Sequence, residues 1–490
     1  MKKNTAKVAA MILAAAMVCG ACGGGAADKG GAADTTAAAQ DTQKAQDPQG
    51  AKDGAPETET EKAEGAGEEK AKPAEKIKVG ITVPYSGFVA NLGENAVNGA
   101  LLGIKMEGRE EDMELLIEDT KCEAELAVTK CSKLKEQDGC LFIMGSVTGF
   151  EGDAQADWLK KNSDVIFLPS YSATQDMTMR DFSPNMIRAG WTADQVMFNF
   201  GEYIAKEVGY KKIISIGADY SYPWGQAAGF ARGFMENGGE EIKYIWYPEG
   251  NLDFSSIMTQ VSSMAGDYDA VFLNDGGSPI VAFWKAWEQY GLNNKFGQII
   301  GGTNVADTNV LSEVSDGFVG VLSASFYSDG DENAANQAFR KAFIDEYGYE
   351  PDAVAVQSYD TIRCIIRGLD AVGWDTSDQQ AIIDAICALE VTDSPRGSFY
   401  FDEYHNAVQN VYVKEVVMTD EGTMANVIKK TYEDVSQFGP YEAYKEQYMQ
   451  FAEDARDYPY TTKDAYMEDL RKVMGDEYVD ALEADGGWKH

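Results

Sequence analysis

Residues able to transfer protons or attack a substrate are few in this 490-residue chain. It holds only two histidines, His405 and His490, the second at the last position. No GxSxG elbow, Walker loop, HExxH pair or GxGxxG after a strand is present. Carboxylates abound, with 80 Asp and Glu against 42 Lys and Arg, so a carboxylate-based hydrolase stays open as the lesser reading. Beyond the first 25 residues the cysteines are Cys122, Cys131, Cys140, Cys364 and Cys387. They show no CxxC spacing, which argues against zinc, and neither a metal nor a cofactor is expected. Bridges Cys131–Cys140 and Cys364–Cys387 are possible, and buried free thiols equally so. What remains is a set of hydroxyls in short glycine-containing stretches: Ser146 and Thr148 in GSVTG, Ser170 and Ser172 in PSYSA. Each alone is as compatible with a turn or a helix cap as with ligand contact.

The surrounding pattern shows what positions them. Short apolar runs at 77–82, 113–118, 140–144 and 165–168 alternate with amphipathic stretches at 93–106, 124–137 and 152–162. Strand and helix in that order mean crossover units and a parallel sheet. The rhythm restarts: helices are predicted at 193–208, 227–237, 254–264 and 281–290, and strands at 212–216, 241–247, 270–273, 298–301 and 317–323. Helices at 334–346, 353–372 and 379–389 precede a β-rich stretch at 397–417. The fold class is α/β, two Rossmann-like lobes joined by several crossings that make a hinge over a cleft. In such sheets ligands bind beyond the carboxyl ends of the strands. There VPYSG, GSVTG and PSYSA run into helix N-termini, whose free N–H groups and dipole suit a carboxylate.

Six segments in order, IKVGITVPYSGFVANLGENAVNGALLGIKM, IMGSVTG, LPSYSATQ, IGADYSYPWGQ, AVAVQSYDTIRCIIRGLDAVG and SPRGSFYFDEYHNAVQNVYVKEV, together resemble the branched-chain amino-acid-binding proteins of ABC importers. That resemblance covers residues 76–417. It implies the type I periplasmic-binding fold, a small-molecule ligand (an amino acid or a related amide) captured by hinge closure, ABC permease subunits as partners, and no enzymatic activity. It also implies lobe one at 76–190 and 325–385 and lobe two at 191–324 and 386–417. A sensory module with the same cleft, uncoupled from transport, is the alternative. By the resemblance, Thr148 and Ser172 offer hydroxyls to the ligand, Gly149 and Ser170 backbone groups, with Ser146 and Tyr171 beside them. Trp224, or Tyr222 near it, supplies the aromatic that closes over the ligand. Where leucine-type binders place a glutamate for the ammonium, this chain has Thr303 or Asn304, so Asp275, and less so Asp219, would supply the charge. A buried ammonium without an acidic partner is costly; if neither Asp faces the cleft, the ligand is not a simple amino acid. Tyr85, Phe88 and Leu92 are the expected pocket for an apolar group.

The ends of the chain carry a location. Lys2, Lys3 and Lys7 precede an apolar run at 8–18, too short to span a bilayer, followed by small residues and Cys22. This resembles a bacterial lipoprotein signal with Cys22 as the lipidated residue, although Cys19 stands where that family usually has Leu. Residues 23–75 contain no Leu, Ile, Val, Met or aromatic residue, and are expected to form a disordered tether with a mean span of roughly 40 Å. The expectation is an extracytoplasmic monomer held to the cell membrane by its lipid alone. The net charge of −38 argues against nucleic acid as a partner. Residues 418–490 are expected to form a mostly helical extension, with helices at 441–455, 463–474 and 477–483.

Overall fold

The computed structural model describes residues 71–451 and 461–489. The leader, Cys22 and nearly all of the tether lie outside them. Lobe one begins with β1 (Ile77–Val83), α1 (Ala90–Met106), β2 (Met113–Asp119), α2 (Ala124–Glu136), β3 (Phe142–Gly145), α3 (Gly149–Leu159) and β4 (Ile166–Pro169). These strands form a wholly parallel sheet in the order β2-β1-β3-β4. Residues 79–83 and all of β3 and β4 are buried, which is why they read as continuous apolar runs rather than alternating ones.

Lobe two follows with α4 (Ala193–Tyr203), β5 (Lys212–Ala218), α5 (Ser221–Glu236), β6 (Glu241–Tyr247), α6 (Ser255–Ser263), β7 (Ala270–Asn274), α7 (Ser278–Gln289), β8 (Ile300–Gly301), α8 (Thr308–Leu311) and β9 (Leu322–Ser325). The chain then returns to lobe one for α9 (Ala334–Tyr347), α10 (Ala353–Ala371) and α11 (Gln379–Cys387). It crosses back to lobe two for β10 (Phe399–Phe401), β11 (Ala407–Met418) and β12 (Met424–Val435). The second sheet runs β10-β11-β9-β8-β7-β5-β6, with β12 paired to β11. Its β6-β5-β7-β8-β9 part is parallel, and β11 joins antiparallel to β9.

Two elements differ from the sequence expectation. The segment 418–435, expected to open a helical extension, instead forms a hairpin whose second strand pairs along β11 from Met418↔Met424 to Gln409↔Val435. Its sequence MANVIKKTYEDV is dominated by exposed and half-exposed positions, as suits an outer strand guarded by charge, so it lacks the apolar alternation that reveals a strand. All five described cysteines are free thiols, so neither possible bridge forms. Cys131 is buried and accepts a hydrogen bond from Gln155 Nε2 (3.3 Å).

The helical remainder, with α12 (Lys445–Phe451), α13 (Lys463–Met474) and α14 (Asp476–Asp485), packs on the back of lobe two. Buried Glu236 at the end of α5 accepts hydrogen bonds from the hydroxyls of Tyr441, Tyr466 and Tyr478 (3.0 Å for the last) and from Trp488 Nε1 (2.8 Å). Burial pushes its carboxyl pKa up, and the four donors oppose the shift. The segment after β12 also reaches lobe one, where Thr178 Oγ1 donates to Gln437 (2.9 Å) and Arg180 to the Met449 carbonyl (2.9 Å).

Candidate functional site

The lobes meet along a closed seam beyond the carboxyl ends of both sheets. The Phe88 carbonyl of lobe one accepts from the Ser278 N–H of lobe two (3.3 Å), and Tyr171 Oη donates to Asn304 Oδ1 (2.6 Å). Tyr220 of lobe two packs edge-on against Phe88 and Phe150 of lobe one, with ring centroids 6.3 and 5.5 Å apart. Gly149, first residue of α3, comes so close to lobe two that a Cβ there would stand 2.5 Å from Ser221 Oγ and 3.1 Å from the Tyr222 nitrogen.

Inside this seam lies a narrow cavity with about 20 Å³ of free space, room for about one water, so a small-molecule ligand fits there only as the lobes part. Leu92, Val147, Thr148, Gly149, Tyr171 and Ala173 line it from lobe one, with Val89 at the start of α1; Tyr220, Tyr222, Gly276 and Asn304 line it from lobe two, and Trp191 from the crossing between them. The lining is aromatic and aliphatic, with hydroxyl, amide and backbone groups and no ionisable carboxyl or basic side chain. A wider groove between β12 and the C-terminal helices is lined by seven carboxylates, among them Asp402, Glu433 and Asp434, against Lys430 and Lys489, a poor setting for an anion, and it shares no residue with the seam cavity.

Thr148 caps α3, and its hydroxyl donates to Glu151 (2.6 Å). What the helix offers a ligand is therefore the N–H groups of Gly149 and Phe150, since that of Glu151 is taken by the Thr148 side chain in a capping box. The structure gathers Thr148, Gly149, Tyr171, Tyr222 and Leu92 of the expected residues and sets the others aside. The Ser146 hydroxyl donates inward to Gln155 Oε1 (2.9 Å), and that of Ser172 to the Met177 sulfur (3.7 Å). Ser170 is fully buried off the cavity, its carbonyl accepting from Ser358 (3.4 Å). The loop expected at 217–226 is instead the start of α5. Helical geometry turns Tyr222 into the cavity and leaves Trp224 outside it, donating to Asp219 (3.1 Å). Thr303 pairs with Gln226 through both its nitrogen and its hydroxyl (2.9 and 3.2 Å), and its neighbour Asn304 faces the ligand space. Tyr85 is 42 % exposed, and Phe88 belongs to the seam rather than the lining.

Asp275 does not reach the cavity either. It is wholly buried behind Gly276, accepting from Tyr247 Oη and the Gly276 N–H. Burial pushes its carboxyl up to about 7, against the pull of those two donors. A carboxyl raised in the folded state holds its proton more tightly there than in the unfolded chain. It therefore lowers stability as pH rises from about 4 to about 7, by at most about 4 kcal/mol. Asp275→Asn is expected to flatten this part of the profile, so that urea unfolding at pH 5 and pH 8 gives a smaller difference than in the wild type. Parallel profiles would contradict the burial argument.

Trp191, Tyr220 and Asn304 supply the other polar side chains of the lining, and of these the sequence pointed only to Asn304. Trp191 directly precedes Thr192, which caps α4 by accepting from Gln195 N (3.2 Å). An aromatic at the entry to a TADQ capping box was the available signal.

Fold and cavity together define a two-lobed binding protein for a small molecule. The chain belongs to the periplasmic binding protein family, whose sequence profile matches residues 76–423. It is a binding protein rather than an enzyme, and the family works outside the cytoplasm. No helix among the described residues is long and apolar enough to cross a membrane. The chain is 27% identical over 371 residues to a Leu/Ile/Val-binding protein homolog of Brucella melitensis, a match spanning 74% of this chain and 92% of that one. A solute-binding protein of an ABC transporter from Rhodopseudomonas palustris, solved with 3,4-dihydroxybenzoic acid, superposes with a TM-score of 0.69 at 27% identity, covering 74% of this chain and 99% of that one. An ABC transporter substrate-binding protein from Sphaerobacter thermophilus gives a TM-score of 0.69 at 26% identity over the same shares.

Proposed function

We propose that this chain is the lipid-anchored substrate-binding component of an ABC importer, and that its ligand is a small apolar or aromatic carboxylate without an ammonium group. The lining of the interlobe cavity carries this reading. It offers rings, methyl groups and hydrogen-bond donors, but no carboxylate to pair an ammonium, since Asp275 and Asp219 both lie off it. An unpaired ammonium there would lose its hydration without return, whereas an anion meets the N-terminus of α3. The aromatic-acid complex of the Rhodopseudomonas palustris relative agrees with this, and the Leu/Ile/Val name of the Brucella relative favours an amino acid.

Capture follows from the geometry. The carboxylate docks on the α3 N-terminus in lobe one. Lobe two then swings over it, bringing Tyr220, Tyr222 and Asn304 into contact, so affinity derives from groups that assemble only on closing. Cys22 and the polar stretch after it would keep the receptor beside its permease, and mass spectrometry of the mature N-terminus checks the lipid.

Titration calorimetry with benzoate, 3,4-dihydroxybenzoate, leucine, isoleucine and a small amide tests the ligand class. The aromatic acids are expected to bind and the amino acids not to. Binding of leucine without binding of either acid would sink the reading.

A further inference from the structure

The cavity lining holds two buried donors without acceptors. Trp191 and Tyr222 both line it, at 0 % and 6 % exposure. Neither the indole N–H nor the phenolic O–H has a hydrogen-bond partner among the described residues. The rings lock each other edge to face (5.9 Å between centroids, 79°), and Phe326 stacks on Trp191 (5.5 Å, 28°), so reorientation toward a protein acceptor is obstructed. Tyr171, the other polar aromatic between them, is already committed to Asn304 (2.6 Å). Buried donors are almost always satisfied in folded proteins, and leaving two unmet in one cavity is costly unless a ligand meets them.

They are groups distinct from the backbone N–H groups of the carboxylate dock. The Tyr222 backbone is what faces Gly149 at the α3 N-terminus. Its hydroxyl lies a phenol ring's length away, where the Asn304 backbone N–H approaches its oxygen without completing a hydrogen bond. We propose that Trp191 and Tyr222 form a donor subsite that reads a hydrogen-bond acceptor at the far end of the acid. The preferred ligand is then an aromatic acid bearing an oxygen substituent across the ring from its carboxylate. This rests on the carboxylate reading above.

The matched probes are 4-hydroxybenzoate and 4-methylbenzoate, which differ by an acceptor of nearly the same size. Wild-type protein is expected to bind the first at least about tenfold more tightly. In Tyr222→Phe and in Trp191→Phe, both checked for folding by thermal unfolding, that preference should fall to within about threefold, whatever the change in overall affinity for the two acids, which a merely structural role would not produce. Tyr222→Phe alone decides the matter if Trp191→Phe does not fold. Equal wild-type affinities, or a preference that survives in Tyr222→Phe, would overturn the subsite and leave the carboxylate reading standing. Failure of both acids to bind, with leucine binding, would overturn that reading and the subsite with it.

Discussion

Gly277→Ala is expected to weaken ligand binding by at least about a hundredfold, which is about 2.7 kcal/mol, while leaving a folded protein. Gly277 precedes α7 at φ 71° and ψ −148°, a conformation essentially confined to glycine. It also lies on the seam, where an added Cβ would stand 2.4 Å from the Phe88 carbonyl oxygen and 2.9 Å from Val89 Cγ1. The first obstacle is a backbone atom at the entry to α1 and cannot step aside as a flexible side chain would. The two effects separate experimentally. Backbone strain of order 1–3 kcal/mol acts on the whole folded state and is read by urea unfolding without ligand. The clash acts only when the lobes meet, so it is read as lost affinity in calorimetry and as a larger radius of gyration in small-angle scattering with 4-hydroxybenzoate present. Unchanged affinity would mean that the Phe88–Gly277 contact is absent from the liganded form.

Arg396→Met is expected to cost about 3–5 kcal/mol in urea unfolding. Arg396 sits on the third crossing between the lobes, and its side chain and that of Asp360 in α10 are both fully buried. The guanidinium Nε meets Asp360 Oδ2 at 3.0 Å, Nη2 donates to the Ala189 carbonyl on the first crossing (3.0 Å), and Nη1 donates to Gln409 in β11. It lies over the Phe399 ring at 4.0 Å. One side chain thus ties two crossings to a helix of lobe one and a strand of lobe two. Met fills the volume but leaves Asp360 buried with Ser394 Oγ at 2.6 Å on the same oxygen and Arg363 Nη1 at 3.6 Å from the other as its remaining cationic neighbour. Burial already raises that carboxyl against the pull of Arg396. Adding Asp360→Asn to Arg396→Met should recover part of the loss, because no charge is then stranded. Strict additivity of the two substitutions would show that the pair is not coupled.

Arg396 also shows what was legible beforehand. It lies in SPRGSFYF, one of the segments that carried the family resemblance, yet nothing local marked it as the knot between crossings. β1, β3 and β4 were legible because parallel strands covered on both faces read as unbroken apolar runs. β12 was not, since its few buried positions, Asn426, Tyr432 and Val435, do not alternate. At the site, the rule that ligands bind beyond strand ends led to the loops that line the interlobe cavity. Which hydroxyl faces it was not legible, because Ser146 and Ser172 are turned inward by hydrogen bonds to Gln155 and Met177, residues 9 and 5 positions away. Tyr222 and Trp224 are two residues apart, and only knowing that α5 begins at Ser221 tells which one the helix aims at the cavity.

The sequence by itself determined the family, the two-lobed α/β plan and the strand ends that border the interlobe cavity, because periodicity and ordered motifs are local properties that survive at low identity. The tertiary structure alone decided the character of the cavity. It withdrew Asp275 behind Gly276, brought Trp191 in from a crossing segment, and set Gly149 and Gly277 as the points of closest approach between lobes. Those outcomes depend on how two separately folded lobes pack face to face, and packing across a cleft leaves no periodic trace in either partner.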